Sequence, residues 1–254
     1  EIDTVMVPID WSDELRVART NAPGIDLDVD WLPSKQVIAR RLGLDPADDD
    51  DLHALAIPTD DRNLVHRARS RFVDVFDGRG GFQCQLGKSI PAGAGMGGAS
   101  SDAASALRGA AELCGIPQET KELTEIAGEI GSDVPCFLGL DGQILAAGRA
   151  QGRGEQLSAV SLTSSLHFVV IFSGVTLSTA LVYAASQVSP SPCSADRFVA
   201  AIEGRSADPF ESEMFNRLTE PAKKLAPRIN ETLESLWQAG LGTCQLTGSG
   251  SACF

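Results

Sequence analysis

Pro91-Ala92-Gly93-Ala94-Gly95-Met96-Gly97-Gly98-Ala99-Ser100-Ser101 is the stretch that decides the fold. It lies between a strand-like segment, Phe82 to Leu86, and a run of strong helix formers that begins at Ser101 and ends at Cys114-Gly115, ahead of Pro117. Glycine has no Cβ, so the backbone here can reach positive φ and wrap closely around a chain of phosphates. A helix starting directly after it turns unpaired N–H groups and the positive end of its dipole toward the same anion. Ser100 and Ser101 add hydroxyls where a phosphate oxygen or its Mg²⁺ would lie. A glycine-rich turn without a ligand is the bland alternative; the proline, the two serines and the capped helix at fixed spacing argue against it.

Two other phosphate loops fail on position. A Walker loop needs four residues between its first glycine and Gly-Lys-Ser, whereas five separate Gly81 from Gly87-Lys88-Ser89, and Pro91 replaces the expected helix. Gly93-x-Gly95-x-x-Gly98 matches the dinucleotide fingerprint, but no first βαβ unit is visible and Glu112 falls inside the predicted helix rather than at a strand end.

Outward from the loop the pattern is mixed. Ile2–Val7, Leu15–Arg19 and Asp26–Asp30 alternate with period two and read as strands, as do 143–147, 167–173 and 243–247. Asn63 to Phe76 carries apolar residues at helical spacing and precedes a turn at Gly78-Arg79-Gly80-Gly81. Helices are also predicted over 119–130, 177–187 and 195–203, and over most of 218–239, which Pro221 and Pro227 punctuate. Asp48–Asp51 reads as a solvated loop. Gly152-Arg153-Gly154 marks the boundary between two α+β halves, residues 1–153 and 154–254.

The bulk numbers exclude some functions. With 21 Lys+Arg against 34 Asp+Glu, the net charge of −13 repels nucleic acid and anionic membrane. A small anionic ligand remains possible, because backbone N–H groups supply local positive potential whatever the net charge. No apolar run reaches the ~18–20 residues of a membrane span. Six scattered cysteines without a Cys-x-x-Cys pair indicate neither zinc nor a disulfide framework, and a reducing cytoplasm is expected.

The loop resembles that of the GHMP kinases, Pro-x-Gly-x-Gly-x-Gly-x-Ser-Ser. Gly98–Ala104, Ile130–Leu138, Asn63-Leu64-Val65, 152–155, 178–183, 215–220 and 247–251 are similar to further blocks of the branch acting on a cytidine-diphosphate sugar alcohol. The resemblance implies an α+β two-domain fold, with a ribosomal protein S5 domain 2-like N-terminal domain and a ferredoxin-like C-terminal domain. It implies a kinase that uses ATP and Mg²⁺ on a small-molecule alcohol in isoprenoid precursor synthesis, as a monomer or homodimer without nucleic acid or membrane. Homoserine, mevalonate or a sugar are the alternative substrates, and a nucleotide-binding relative without catalysis is the non-enzyme alternative.

Residue by residue, the resemblance implies ATP binding by residues 91–101, with Ser101 reaching the metal through Mg-ATP, and an adenine contact for Asn63, which by position also suits a helix cap. It implies that Asp133 deprotonates the substrate hydroxyl; read alone, Gly131-Ser132-Asp133 before Val134-Pro135 equally suits a turn or cap. Tyr183 would stack on cytosine or serve as a core tyrosine, and Gly248-Ser249 would close over the substrate or form a tight turn. Lys88, near the loop, could help hold phosphate, but the position reads first as an exposed lysine. Ala99 replaces a loop glycine of the family, and Arg217 stands where the family has Asp. Family members also carry a Lys-x-Asn-Leu strand and an Asp-Gly-Tyr-His turn ahead of the position of Glu1. This sequence contains neither, so the catalytic lysine is expected to be missing from it.

Overall fold

The computed structural model describes residues 2–76, 80–187 and 192–254; most of the turn expected at 78–81 lies outside them. The chain divides into two compact units. One joins Glu1–Ile90 with Gly97–Ala159, and the other joins Pro91–Met96 with Val160–Phe254.

The first unit contains β1 (Ile2–Met6), β2 (Glu14–Thr20), β3 (Gly24–Trp31), α1 (Lys35–Arg41), α2 (Asp49–Ala54), α3 (Leu64–Val75), β4 (Gly81–Lys88), α4 (Gly98–Cys114), α5 (Lys121–Ile130), α6 (Val134–Leu138), β5 (Gly148–Gly152) and β6 (Gln156–Ala159). β4 is the centre of a three-stranded sheet, antiparallel to β2 and parallel to β3. The parallel pair requires a long crossover, which α1 to α3 supply. Along β4, Phe82, Cys84 and Leu86 are buried while Gln83 and Gln85 face water, the alternation of a sheet with one face on a core. That face meets α3 and α4. Ala103, Ala104, Ala106, Ala110 and Ala111 are buried on α4 beside Leu107, and their small side chains let the helix lie close to Phe72 and Phe82 in the same core.

Three expectations change here. Asp48–Asp51 is not a loop: Asp48 accepts hydrogen bonds from Asp50 N and Asp51 N and caps α2, where a helix start stabilises acidic residues. The strand expected at 143–147 lies at Gly148–Gly152 instead, held between β1 and β6. Gly152-Arg153-Gly154 is the turn of that β5–β6 hairpin, so the unit runs on to Ala159.

The second unit contains β7 (Ile171–Phe172), α7 (Thr179–Ala185), α8 (Asp196–Ile202), α9 (Thr219–Leu225), α10 (Arg228–Gln238) and β8 (Ala252–Cys253). Its core gathers Val182, Ala222, Ile229, Leu236 and Leu246. The strand expected at 243–247 is reduced to a single bridge between Leu246 and Cys253, and β8 pairs with β7. Among the described residues no helix is long and apolar enough to cross a membrane.

Candidate active site

The glycine loop alternates handedness. Gly93, Gly95 and Gly97 have φ of 67°, 72° and 69°, so every second residue takes the left-handed conformation that turns successive N–H groups toward one anion. α4 starts inside the loop, three residues earlier than the serine cap expected from sequence. Its cap is Gly97, and no side chain makes a capping hydrogen bond to the helix start. The first N–H groups of a 17-residue helix therefore keep their hydrogen-bonding capacity for a ligand. Ser101 donates its hydroxyl to Gly98 O at 2.9 Å, which leaves the oxygen lone pairs for a cation.

Gly95 is also sterically obligatory. A Cβ there would lie 2.5 Å from Thr247 O and 2.7 Å from Gly250 O, whereas one on Gly115, also at positive φ, would meet nothing within 4 Å. Gly115→Ala is thus expected to cost only the left-handed penalty of about 1–2 kcal/mol. Gly95→Ala is expected to lower the melting temperature clearly further, because backbone must move; equal melting shifts would contradict this packing.

Beneath the start of α4 lies a buried charge cluster. Lys88 Nζ donates to Asp102 at 2.7 Å and to Asp13, and all three side chains are buried. The second Asp13 oxygen accepts from Ser89 N at 2.6 Å and Ile90 N at 2.9 Å, fixing the strand end that leads into the loop. Lys88 is therefore not the exposed lysine expected; its stem runs under Gly98, whose added Cβ would lie 3.4 Å from Nζ. Burial raises the Asp102 carboxyl to about 6 despite the opposing pull of Lys88, with the Asp13 charge adding to the rise.

Asp133 stands at the head of α6 but does not cap it, since its side chain makes no capping hydrogen bond. Water can touch this exposed residue, yet protein atoms crowd its carboxyl, and that partial desolvation pushes its pKa upward. Its neighbour Ser132 is backed by the β5–β6 turn, where a Cβ on Gly154 would strike Ser132 O. Four residues on, the Phe137 ring packs against Gly97, so closely that a Cβ there would lie 2.6 Å from it. The end of the glycine loop and the helix led by Asp133 are thus in contact within one unit. Asn63, also in this unit, is a helix cap: it accepts from Val65 N at 2.9 Å and donates to Pro58 O at 2.8 Å. Both ends of its amide are engaged.

In the second unit the other half of the loop meets the 247–251 turn. Gly95 O accepts from Thr247 Oγ1 and Ala94 O from Ala252 N, each at 2.9 Å. Gly248 has φ 53°, and Ser249 Oγ shares a 2.9 Å hydrogen bond with Thr179 Oγ1 at the start of α7. Tyr183, one turn along α7, is 46% exposed, which rules out a core role. Asn216 Nδ2 donates to both Leu246 O and Gly248 O at 2.8 Å. Arg217 lies over the exposed Phe215 ring, 5.4 Å from its centroid.

The donor set fits a nucleotide triphosphate: an uncapped helix start, alternating glycines and two hydroxyls. Among the described residues no group of three or more His, Cys, Asp or Glu side chains could hold a metal ion, so a Mg²⁺ here would be carried largely by phosphate oxygens, its usual manner with nucleotides.

Residues 63–140 match the GHMP kinase N-terminal domain. The chain is 47% identical to a 4-diphosphocytidyl-2-C-methyl-D-erythritol kinase of Rhodopirellula baltica over all of its own length and 78% of that protein. It is 36% identical to the same kinase of Deinococcus radiodurans over 78% of this chain and 64% of that one. A crystal structure of 4-(cytidine 5'-diphospho)-2C-methyl-D-erythritol kinase superposes with a TM-score of 0.69 at 28% identity, over 99% of this chain and 79% of that chain. A homoserine kinase from Cytophaga hutchinsonii, at 15% identity and a TM-score of 0.64 over 95% and 75%, shares the fold.

Proposed function

The chain belongs to the GHMP kinases, in the branch of the 4-diphosphocytidyl-2-C-methyl-D-erythritol kinases, and from that premise we propose that it phosphorylates the 2-hydroxyl of 4-diphosphocytidyl-2-C-methyl-D-erythritol. The observation that carries the reading is the contact of Gly97 with the helix that Asp133 leads, because phosphoryl transfer needs the nucleophile positioned beside the phosphate cradle more than it needs covalent help.

ATP, with Mg²⁺, supplies the phosphoryl group and shields its charge. Backbone N–H groups of residues 93–100 would hold the phosphates, and the Ser100 and Ser101 hydroxyls would be available to phosphate oxygens or to the Mg²⁺ they carry. Asp133 orients the 2-hydroxyl and accepts its proton; a carboxylate with no hydrogen bond to its own helix is available for this. Tyr183 offers an exposed ring face to cytosine, a stacking surface suited to any base. Gly248 and Ser249 close around the substrate. Asn63 acts through α3, which it caps. Six free cysteines suit a reducing cytoplasm.

ATP-dependent phosphorylation should be measured with the natural full-length protein on the cytidyl substrate, homoserine and mevalonate. Turnover of the cytidyl substrate alone is expected. Turnover of either other alcohol would move the chain to another GHMP activity, and ATP binding without any turnover would leave a nucleotide-binding protein.

A further inference from the structure

We infer that Thr247 is a positioning residue that makes the binding of nucleotide and cytidyl substrate cooperative. The inference rests on the reading that residues 91–101 take ATP while Gly248, Ser249 and Tyr183 take the substrate. Residues 91–96 of the first set and all of the second belong to one hydrogen-bonded body, the second unit. Thr247 Oγ1 donates to Gly95 O, Ala252 N donates to Ala94 O, and the loop and turn backbones leave no room for a methyl group at Gly95 or Gly248. The far side of the turn is fastened by Asn216 to Leu246 O and Gly248 O, and by Ser249 to Thr179 at the start of the helix that carries Tyr183.

A body tied in this way orders as one piece. A ligand that seats the loop carries the turn with it through these bonds, so the second ligand meets a turn or loop that the first has already placed, which is positive coupling without any large movement. Among the described residues the Thr247 hydroxyl is the side-chain hydrogen bond from the turn to the loop, so it is the link that substitution can remove while leaving the backbone bond at Ala94 intact. Neither Thr247 nor its hydroxyl has to touch a ligand.

The test is titration calorimetry of the full-length protein with the cytidyl substrate, in the absence and presence of a saturating non-hydrolysable ATP analogue. Wild type is expected to bind the substrate about 5-fold or more tighter when the nucleotide site is filled, the lower end of usual coupling between sites. Thr247→Val, nearly isosteric, should keep each separate affinity within about threefold while its coupling factor falls toward one. Thr247→Ser, which retains the hydroxyl, should keep the wild-type factor. A Val variant with undiminished coupling, or a wild type that binds both ligands independently, would overturn the inference while leaving the kinase reading intact. A wild type that binds neither ligand would overturn the kinase reading as well.

Discussion

Asp133→Asn in the full-length protein is expected to lower kcat by about 10²–10⁴-fold with little change in KM, the range found when a positioned general base is removed. Asparagine keeps the shape but cannot accept the proton of the substrate hydroxyl. Because the carboxylate makes no capping bond, the substitution should leave the melting temperature unchanged, separating catalysis from folding. The pH profile adds a second readout. Desolvation raises the Asp133 pKa above the ordinary carboxylate value, so the wild-type rate should fall on acidification at a higher pH than a solvated aspartate would give, and that limb should vanish in the variant. A variant with wild-type kcat would remove Asp133 from the mechanism.

Lys88→Met is expected to destabilise the protein by about 3–5 kcal/mol, since it leaves two buried carboxylates facing each other without their cation. That is a large share of the roughly 5–15 kcal/mol that holds a typical domain folded. The sign of its pH dependence follows from Asp102, whose folded pKa, about 6, exceeds the unfolded value near 3.8. Between those values the native state binds more protons than the unfolded one, so this group's contribution declines as pH rises and is lost above about 6. Removing Lys88 takes away the cation that holds the Asp102 pKa down, so the decline should reach to higher pH. Urea denaturation at pH 5 and pH 8 checks it: the variant should lose more stability between the two than wild type, and adding Asp102→Asn should recover part of the loss. Equal losses in both proteins would mean that the cluster is not charged as described.

The glycine loop was legible because its chemistry is local: the glycines, the serines and the helix formers are adjacent in the chain, and each demands its own backbone state. The Lys88 cluster was not, because Asp13 lies 75 residues from its partner and an isolated lysine in sequence looks like a surface residue. The same distinction explains β5. Gly148-Arg149-Ala150-Gln151-Gly152 has no β-branched residue and becomes a strand because β1 and β6 flank it, while the more strand-like 143–147 opens on a tight turn bridged between Leu140 and Gln143. Asn216 lay within a recognisable block, but nothing local assigned its amide to the carbonyls of residues 246 and 248. Asn63 and Tyr183 were each left between two readings, of which hydrogen bonding shows the cap at Asn63 and exposure removes the core role of Tyr183.

The bond between Gly95 and Thr247 joins residues 152 positions apart. During synthesis at about 5–20 residues per second, the Gly95 carbonyl emerges roughly 8–30 s before the hydroxyl that will bind it. Over that interval the nascent chain can assemble the sheet and helices around β4 from residues already made, but the glycine loop cannot be finished. The most sequence-local feature of the protein is therefore among the last to reach its final form, and premature termination anywhere before Thr247 would release a polypeptide whose glycine loop has lost the partner that shapes it.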